Sequence, residues 1–140
     1  MRFVLDTNVI IAALRSPSGA SAALVTYALE GAFIPLLSVP LVLEYEATAC
    51  DPAQRIVSGL SDEQVRTVIS ALCAVGEAIE TRFLWRPQLH DPADEMVLEV
   101  AINGHADALV TFNRRDFGDA PQRFGIDLLS PQDALGRIKR

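Results

Sequence analysis

The chain opens with RFVLDTNVIIAAL (Arg2–Leu14), and this stretch decides the fold. The apolar run from Phe3 to Leu5 predicts a short strand that is buried on both faces. The run ends on Asp6, and the apolar spacing after it predicts a helix that reaches Leu14. A strand leading directly into a helix is typical of parallel α/β proteins, whose ligands collect at the carboxyl ends of strands. Asp6 is therefore either the cap of this helix or part of a site at this edge of the sheet.

The composition limits the class of protein. The 140 residues are half hydrophobic with only 6% aromatics, which suits one layered α/β domain spanning residues 1–140. A net charge of -6 argues against a basic groove for nucleic acid, so any phosphate must be held by local arginines or through cations. Lys139 is the only lysine, which excludes Walker A loops and Schiff-base chemistry.

The cysteines and the hydropathy pattern indicate where in the cell the protein is expected. Cys50 and Cys73 have no C-x-x-C spacing, so we expect no disulfide framework and a reducing cytoplasm. The N-terminal apolar stretch imitates a signal peptide, but Asp6 and Asn8 interrupt it. No run approaches the roughly 18 apolar residues of a spanning helix. We therefore expect a cytoplasmic protein with no membrane partner.

Strands and helices alternate along the chain, which predicts an α/β fold with a mainly parallel sheet covered by helices on both faces. Pro35 predicts that the second strand is irregular or near an edge. Residues 76–90 are expected to be irregular, and FNRRDFGDAP (112–121) to be a polar loop. The predicted strands are Phe3–Leu5, Phe33–Leu37, Ala108–Thr111 and Asp127–Leu129. The predicted helices are one through Leu14, Ala22–Leu29, one from Ser38, one from Ser61 to about Ala74, Pro92–Asn103 and one from Ser130.

The segment HDPADE (90–95) opens one of these helices. Asp91 is suited to cap it, and that role alone would explain its presence. Helical periodicity places Asp94 on the apolar face, where a carboxylate is costly without a positive partner. The same periodicity places Glu95 and Glu99 on a solvated face. We therefore favour Asp94 as a functional residue, with Asp91 as a weaker candidate.

Other acids follow the second and fourth predicted strands. Glu44 and Glu46 lie on the helix after the second strand, and spacing does not decide between them. Thr111 and Asn113 leave the end of a buried strand, with Asp116 just beyond them; an ordinary polar loop would explain them equally well.

These acids and amides are expected at one edge of one sheet. Carboxylates repel each other in a site of low dielectric, and a hard divalent cation, Mg²⁺ or Mn²⁺, relieves that repulsion through oxygen ligands. Zinc is disfavoured, because His90 and His105 are the only histidines and no cysteine has ligand spacing.

Four segments together resemble a known family. They are VLDTNVII (4–11), SVPLVLEYEA (38–47), DPADEMVLEVA (91–101) and ADALVTFNRRDF (106–117). In this order they resemble the successive motifs of PIN domains, and most closely those of the bacterial branch of toxins in toxin–antitoxin systems (VapC-like). The resemblance implies a parallel sheet between helices and a ribonuclease that binds Mg²⁺ or Mn²⁺ through a quartet of acids.

The resemblance also implies roles for individual residues. The first three acids of the quartet correspond to Asp6, Glu44 and Asp94, so that Glu44 is preferred over Glu46. The fourth position departs from the pattern, because Asn113 stands where many members have Asp. Asp116 is the candidate for the missing charge, which leaves the number of metal ions open.

The sequence thus predicts a metal-dependent endoribonuclease that cleaves single-stranded or structured RNA, as the toxin of a toxin–antitoxin pair. The expected partners are RNA and a cognate antitoxin, and a homodimer is left open. The alternative is a catalytically silent PIN-like module that binds RNA or protein; a hydrolase with an aspartyl nucleophile ranks last, because such enzymes usually have D-x-D.

The predicted site divides into four groups of residues. The catalytic group is Asp6, Glu44, Asp94 and Asp116. The metal ligands are these four with Asp91 and Asn113. Residues expected to orient the ligands are Thr7, Asn8 and Thr111. The candidate RNA contacts are Arg15, Arg82, Trp85, Arg86, Arg114 and Arg115.

Overall fold

A computed structural model describes residues 1–82 and 88–139. The strands in these ranges are β1 (Arg2–Leu5), β2 (Ile34–Leu37), β3 (Glu77–Ala78), β4 (Ala108–Val110) and β5 (Asp127–Leu129). They form one five-stranded sheet in the order β3-β2-β1-β4-β5. Every pair of neighbouring strands is parallel. The predicted α/β class with a central parallel sheet is confirmed.

Helices connect the strands and cover the sheet. They are α1 (Thr7–Arg15), α2 (Ala20–Leu29), α3 (Val39–Ala49), α4 (Pro52–Ser58), α5 (Asp62–Val75), α6 (Pro92–Asn103), α7 (Arg114–Phe117), α8 (Ala120–Arg123) and α9 (Pro131–Ile138). Helix α6 packs against β1, β2 and β4, whereas α1, α2, α3, α5 and α9 pack on one another. This arrangement is the expected three-layer α/β/α fold. In the described ranges no single helix is long and apolar enough to cross a membrane; α1 and α2 meet that criterion only as a pair, bent by 103°.

Residue types explain where several helices begin. Ser38 and Ser130 accept hydrogen bonds from backbone N–H groups in the first turns of α3 and α9. Ser61 forms a full capping box with Gln64 at the start of α5. These signals were readable in the sequence, and the helices begin where they predict.

Strand β1 lies at the centre of the sheet. Phe3 is level with Pro35 of β2 on one side and with Ala108 of β4 on the other. The chain places β2 and β3 in succession on one side of β1 and then returns to add β4 and β5 on the other. The strand order therefore reverses at β1, and ligands of open parallel sheets bind at such a point. Asp6 follows β1 directly, at its carboxyl end.

The prediction that the second strand lies near an edge is confirmed, because only the two-residue strand β3 lies outside β2. Strand β3 itself was not predicted and lies within a stretch expected to be irregular. Proline is tolerated there since β3 pairs only with Leu36 and Leu37, beyond the missing N–H of Pro35. Segment 112–121 contains two short helices, α7 and α8, in place of a loop. Helix α4 was not predicted. None of its residues is buried, so its sequence lacks the periodic apolar pattern that predicts a helix. Trp85 and Arg86 lie outside the described residues.

A stability prediction follows from the glycine that leads into β3. A methyl group on Gly76 would lie 2.7 Å from the backbone oxygen of Pro35, whereas one on Gly136 in α9 meets no atom within 4 Å. We expect Gly76→Ala to cost about 1–3 kcal/mol through overpacking. Gly136→Ala, the matched control, should gain roughly 0.5–1 kcal/mol of helix propensity. Urea unfolding measures both, and equal stabilisation by the two substitutions would contradict the close approach.

Candidate active site

Asp6 is a buried carboxylate with two defined hydrogen bonds. Its side chain is 7% exposed. One carboxylate oxygen accepts from the backbone N–H of Thr7 at 2.8 Å, and the other from the hydroxyl of Thr111 at 2.7 Å. Burial raises the pKa of Asp6, while these two bonds oppose the shift. Asp6 therefore caps α1, as its residue type predicted, and also faces the neighbouring strand β4.

Thr111 connects the carboxyl ends of β1 and β4. Besides donating to Asp6, its fully buried hydroxyl accepts from the side-chain amide of Asn8 at 3.3 Å and from the backbone N–H of Asn113 at 3.0 Å. The side-chain oxygen of Asn8 in turn accepts from the N–H of Phe112 at 3.4 Å. These bonds fix the turn after β4 relative to the start of α1.

Tyr45 fixes α3 to the same place. Its ring is buried, and its hydroxyl donates to the carbonyl of Leu5, the residue before Asp6. Burial holds the pKa of the Tyr45 hydroxyl well above its ordinary value, so the hydroxyl keeps its proton and remains a donor. Glu44 is then turned into the cleft beside Asp6, whereas Glu46 lies 3.3 Å from the guanidinium of a surface arginine on α5. The geometry thus separates two residues that spacing alone did not.

These elements enclose a cleft of about 580 Å³. The predicted residues that it brings together are Asp6, Thr7, Asn8, Arg15, Glu44, Asp94 and Asn113. Its other lining residues are Ile11, Ala12, Thr48, Gln54 and Phe112. Arg82 lines a different cleft with Arg2 and His105, and its guanidinium lies 3.0 Å from Glu80. Arg114 lies 3.6 Å from Asp133.

Asp94 is only partly buried, at the first turn of α6. Its pKa is raised to about 6, first by loss of solvent and then by repulsion from Asp6, Asp91 and Asp116. Asp116 is itself exposed but also raises the pKa of Asp6. Asp91 caps α6 by accepting from the N–H of Ala93 at 2.9 Å. Asp6 after β1, the two acids at the start of α6 and Asp116 on α7 therefore repel one another across a single site.

A family model for the PIN domain matches residues 2–115. The chain belongs to the PIN domain family. PIN domains are typically nucleases and generally use divalent metals, so membership indicates a nuclease that acts on nucleic acid. The family resemblance seen in the sequence motifs is confirmed at this level. A search of curated proteins finds no significant match.

The donor chemistry of this PIN domain fits a hard cation. The cleft offers carboxylates from Asp6, Glu44 and Asp94 and an amide from Asn113, and no histidine or cysteine lines it. Within residues 1–82 and 88–139, no three His, Cys, Asp or Glu side chains are grouped closely enough to hold a metal ion. Both oxygens of Asp6 still have free lone pairs, and Glu44 and Asp94 are partly exposed. Closing these donors around a cation would require rotation of the exposed side chains.

The prediction that Glu95 and Glu99 form a solvated face is wrong. Each is only 4% exposed. One carboxylate oxygen of Glu95 accepts from the backbone N–H groups of Gln88 and Leu89, at 2.5 and 2.6 Å. The chain that precedes α6 thus supplies two backbone donors to Glu95, which becomes an internal anchor for that segment. Asp94, expected on the apolar face, instead lies at the rim of the cleft.

Sequence reasoning missed several residues of the site. The spacing of Leu41, Tyr45 and Ala49 carries a signal that places Tyr45 on the buried face of α3, but not its hydrogen bond. Gln54 and Phe112 gave no signal. Gln54 lies on α4, the helix without an apolar period, and Phe112 is a single aromatic after a strand.

The raised pKa of Asp94 predicts how stability depends on pH. The folded PIN domain binds this proton more tightly than the unfolded chain, so its contribution is fully present below the ordinary pKa of 3.8 and is lost as pH rises through about 6. Asn at position 94 cannot ionise. We therefore expect Asp94→Asn to gain in melting temperature relative to wild type as pH rises through this window, when both are measured in EDTA.

Glu30→Gln provides the control for this comparison, because Glu30 is exposed and remote from the cleft. Its difference from wild type measures the effect of removing one acidic side chain outside the cleft. A parallel pH dependence of wild type and Asp94→Asn would show that Asp94 titrates normally.

Proposed function

We propose that this PIN domain is an endoribonuclease dependent on Mg²⁺ or Mn²⁺ that cleaves single-stranded or structured RNA. The observation that supports it is the meeting of Asp6, Glu44, Asp94 and Asn113 in one cleft at the reversal point of a parallel sheet. The raised pKa of Asp94 supports it further, because a site of repelling acids is stabilised when a cation binds.

Each residue has a distinct part in this proposal. Asp6, Glu44 and Asp94 hold the cation, with Asn113 or Asp116 completing the set and Asp91 as an outer neighbour. When bound, the cation supplies an activated water and neutralises charge on the phosphate. Thr111 and the N–H of Thr7 hold the carboxylate of Asp6 in one orientation, and Asn8 holds Thr111.

In this proposal, a small number of arginine side chains bind the RNA backbone. Arg15 lines the cleft at the end of α1, and Arg115 lies on α7 next to Asp116. Neither forms an ion pair with any residue that the structure describes. In a protein of net charge -6, free arginines at the site are the groups available for backbone phosphates.

The biological role that we propose is that of the toxin in a toxin–antitoxin pair, acting in the cytoplasm as a single domain. The motif pattern of the toxin branch supports it. A free ribonuclease harms its host, and an acidic cleft is complementary to a basic segment of an inhibitor whose arginines pair with the acids.

A second candidate function is a silent module that binds RNA or protein without cleaving. Two observations favour it: Asn113 replaces the fourth acid, and the described acids are not grouped as a complete metal site. Three retained acids favour the nuclease, because uncompensated carboxylates in a cleft are costly.

Cleavage of labelled single-stranded RNA tests the nuclease. We expect Asp6→Asn and Asp94→Asn to lower the rate by roughly 100-fold or more, since the cation loses a ligand. Glu46→Gln, on the same helix as Glu44 but facing away, should cleave normally. Millimolar Mn²⁺ should also raise the melting temperature of wild type but not that of Asp94→Asn.

The fourth position is tested in the same assay. Asp116→Asn should impair cleavage nearly as much as Asp94→Asn if Asp116 supplies the missing charge. Asn113→Asp should lower the Mn²⁺ concentration needed if Asn113 weakens the site. Inactivity of all these proteins on every RNA tried, with RNA binding intact, would establish the silent module.

The toxin role predicts growth arrest. Expression of the wild type in a bacterial host should stop growth, while Asp94→Asn, the matched inactive variant, should not. Co-expression of the cognate antitoxin should restore growth, and the antitoxin should co-purify with the chain. Normal growth on overexpression of a protein that cleaves RNA in vitro would refute the toxin role and leave the nuclease intact.

A further inference from the structure

We propose that Arg15, Gln54 and Phe112 form a nucleotide-binding subsite in the wall of the acidic cleft, which takes one unpaired base and its phosphate and prefers a base carrying an amino group over uracil. This inference rests on the proposed action on RNA. It adds a recognition role for two residues, Gln54 and Phe112, to which the sequence motifs give none.

The three residues come from separate elements but line one cavity. Arg15 ends α1, Gln54 lies on α4, and Phe112 follows β4. The cavity of about 580 Å³ also contains Asp6 and Asp94. That volume is within the roughly 300–1,000 Å³ typical of ligand pockets, so one nucleotide fits in the cleft beside the acids.

Phe112 supplies a stacking surface. Its side chain is 54% exposed, although the residues on either side of it contribute to the buried hydrogen-bond network. Its backbone N–H is held by Asn8, so the ring projects from a fixed point at the rim. An exposed aromatic ring beside a polar cleft is suited to stack against an unpaired base.

Gln54 supplies an unsatisfied polar group. Its amide oxygen is shielded from solvent and has no hydrogen-bond partner in the described part of the chain. Such an oxygen costs free energy, which a donor on a ligand would recover after a small rotation of the amide. The amino groups of adenine and cytosine are donors of this kind, whereas uracil carries an oxygen at the corresponding position.

Arg15 supplies the charge. The described arginines that form an ion pair with an acid are Arg2, Arg55, Arg66, Arg82, Arg114, Arg123 and Arg137. Arg15 has no acidic partner in the described ranges and lines the cleft, so its guanidinium is available for a bidentate contact with phosphate. Each part of the nucleotide thus has a matching residue. Phe112 stacks on the base, Gln54 accepts from its amino group, and Arg15 binds the phosphate.

Binding of labelled oligonucleotides tests the subsite without cleavage. The probes are the pentamers rC5 and rU5, which differ in the amino and oxo groups of the base, and the protein is the full chain carrying Asp94→Asn. We expect several-fold tighter binding of rC5 than of rU5. Gln54→Met, which keeps the side-chain length, should remove this difference. Gln122→Met, on an exposed residue of α8, should preserve it.

The aromatic ring and the charge are tested with the same probes. Phe112→Leu should weaken both pentamers roughly tenfold, while Phe112→Tyr should bind as before, because only the tyrosine can stack. Arg15→Gln should weaken both and make binding less sensitive to salt. Melting curves confirm that each variant is folded.

The outcomes separate the subsite from the nuclease. If wild type cleaves no RNA, but Gln54→Met removes the pentamer preference and Phe112→Leu weakens binding of both pentamers, the subsite stands and the nuclease falls. If wild type cleaves RNA but Gln54→Met and Phe112→Leu, each made in the Asp94→Asn protein, bind both pentamers like the Gln122→Met control, the subsite is overturned. Equal binding of rC5 and rU5 by the parent protein overturns the base preference.

Discussion

The buried carboxylate of Asp6 is the constraint around which the rest of the structure is arranged. A carboxylate that is 7% exposed loses most of its hydration, and an isolated one would be neutralised or would destabilise the fold. Two donors, the N–H of Thr7 and the hydroxyl of Thr111, replace part of that hydration. The first is provided by the start of a helix and the second by the end of the neighbouring strand, so both elements must meet at the end of β1.

Tyr45 extends the same constraint to a third element. Its hydroxyl donates a hydrogen bond to the carbonyl of Leu5. This bond holds α3 at the end of β1, with Glu44 facing the cleft. None of these contacts is a bond between two acids. The acids are brought together by neutral groups that hold the backbone, which explains how repelling side chains share one cleft in a stable fold.

The sequence predicts features that depend on local chemistry and on strict periodicity. The buried strand before Asp6, the serine caps and the helices α3 and α6 are of this kind. Together they place Asp6, Glu44 and Asp94 at one edge of the sheet. Periodicity fails where both sides of an element are covered. It assigned Glu95 and Glu99 to solvent because it carries no information about the chain that packs over α6.

Gln54 illustrates a different limit of prediction. A helix such as α4, with no buried residue, leaves no apolar pattern, so neither the helix nor the position of its amide in the cleft can be read from the residues. The fold depends on contacts with strong local signals. The wall of the cleft depends on where the tertiary structure places residues such as Gln54, and the local sequence does not predict that placement.

The hydrogen bond between Asp6 and Thr111 joins residues 105 positions apart. During synthesis the first acid leaves the ribosome long before its partner, and β4, which must lie beside β1, is made after most of the chain. Until then Asp6 lacks one of its two donors. A nascent chain therefore carries all three acids without an assembled site, and the cleft is completed only when β4 adds to the sheet. In a nuclease, this order of assembly would leave an unfinished polypeptide without an active cleft.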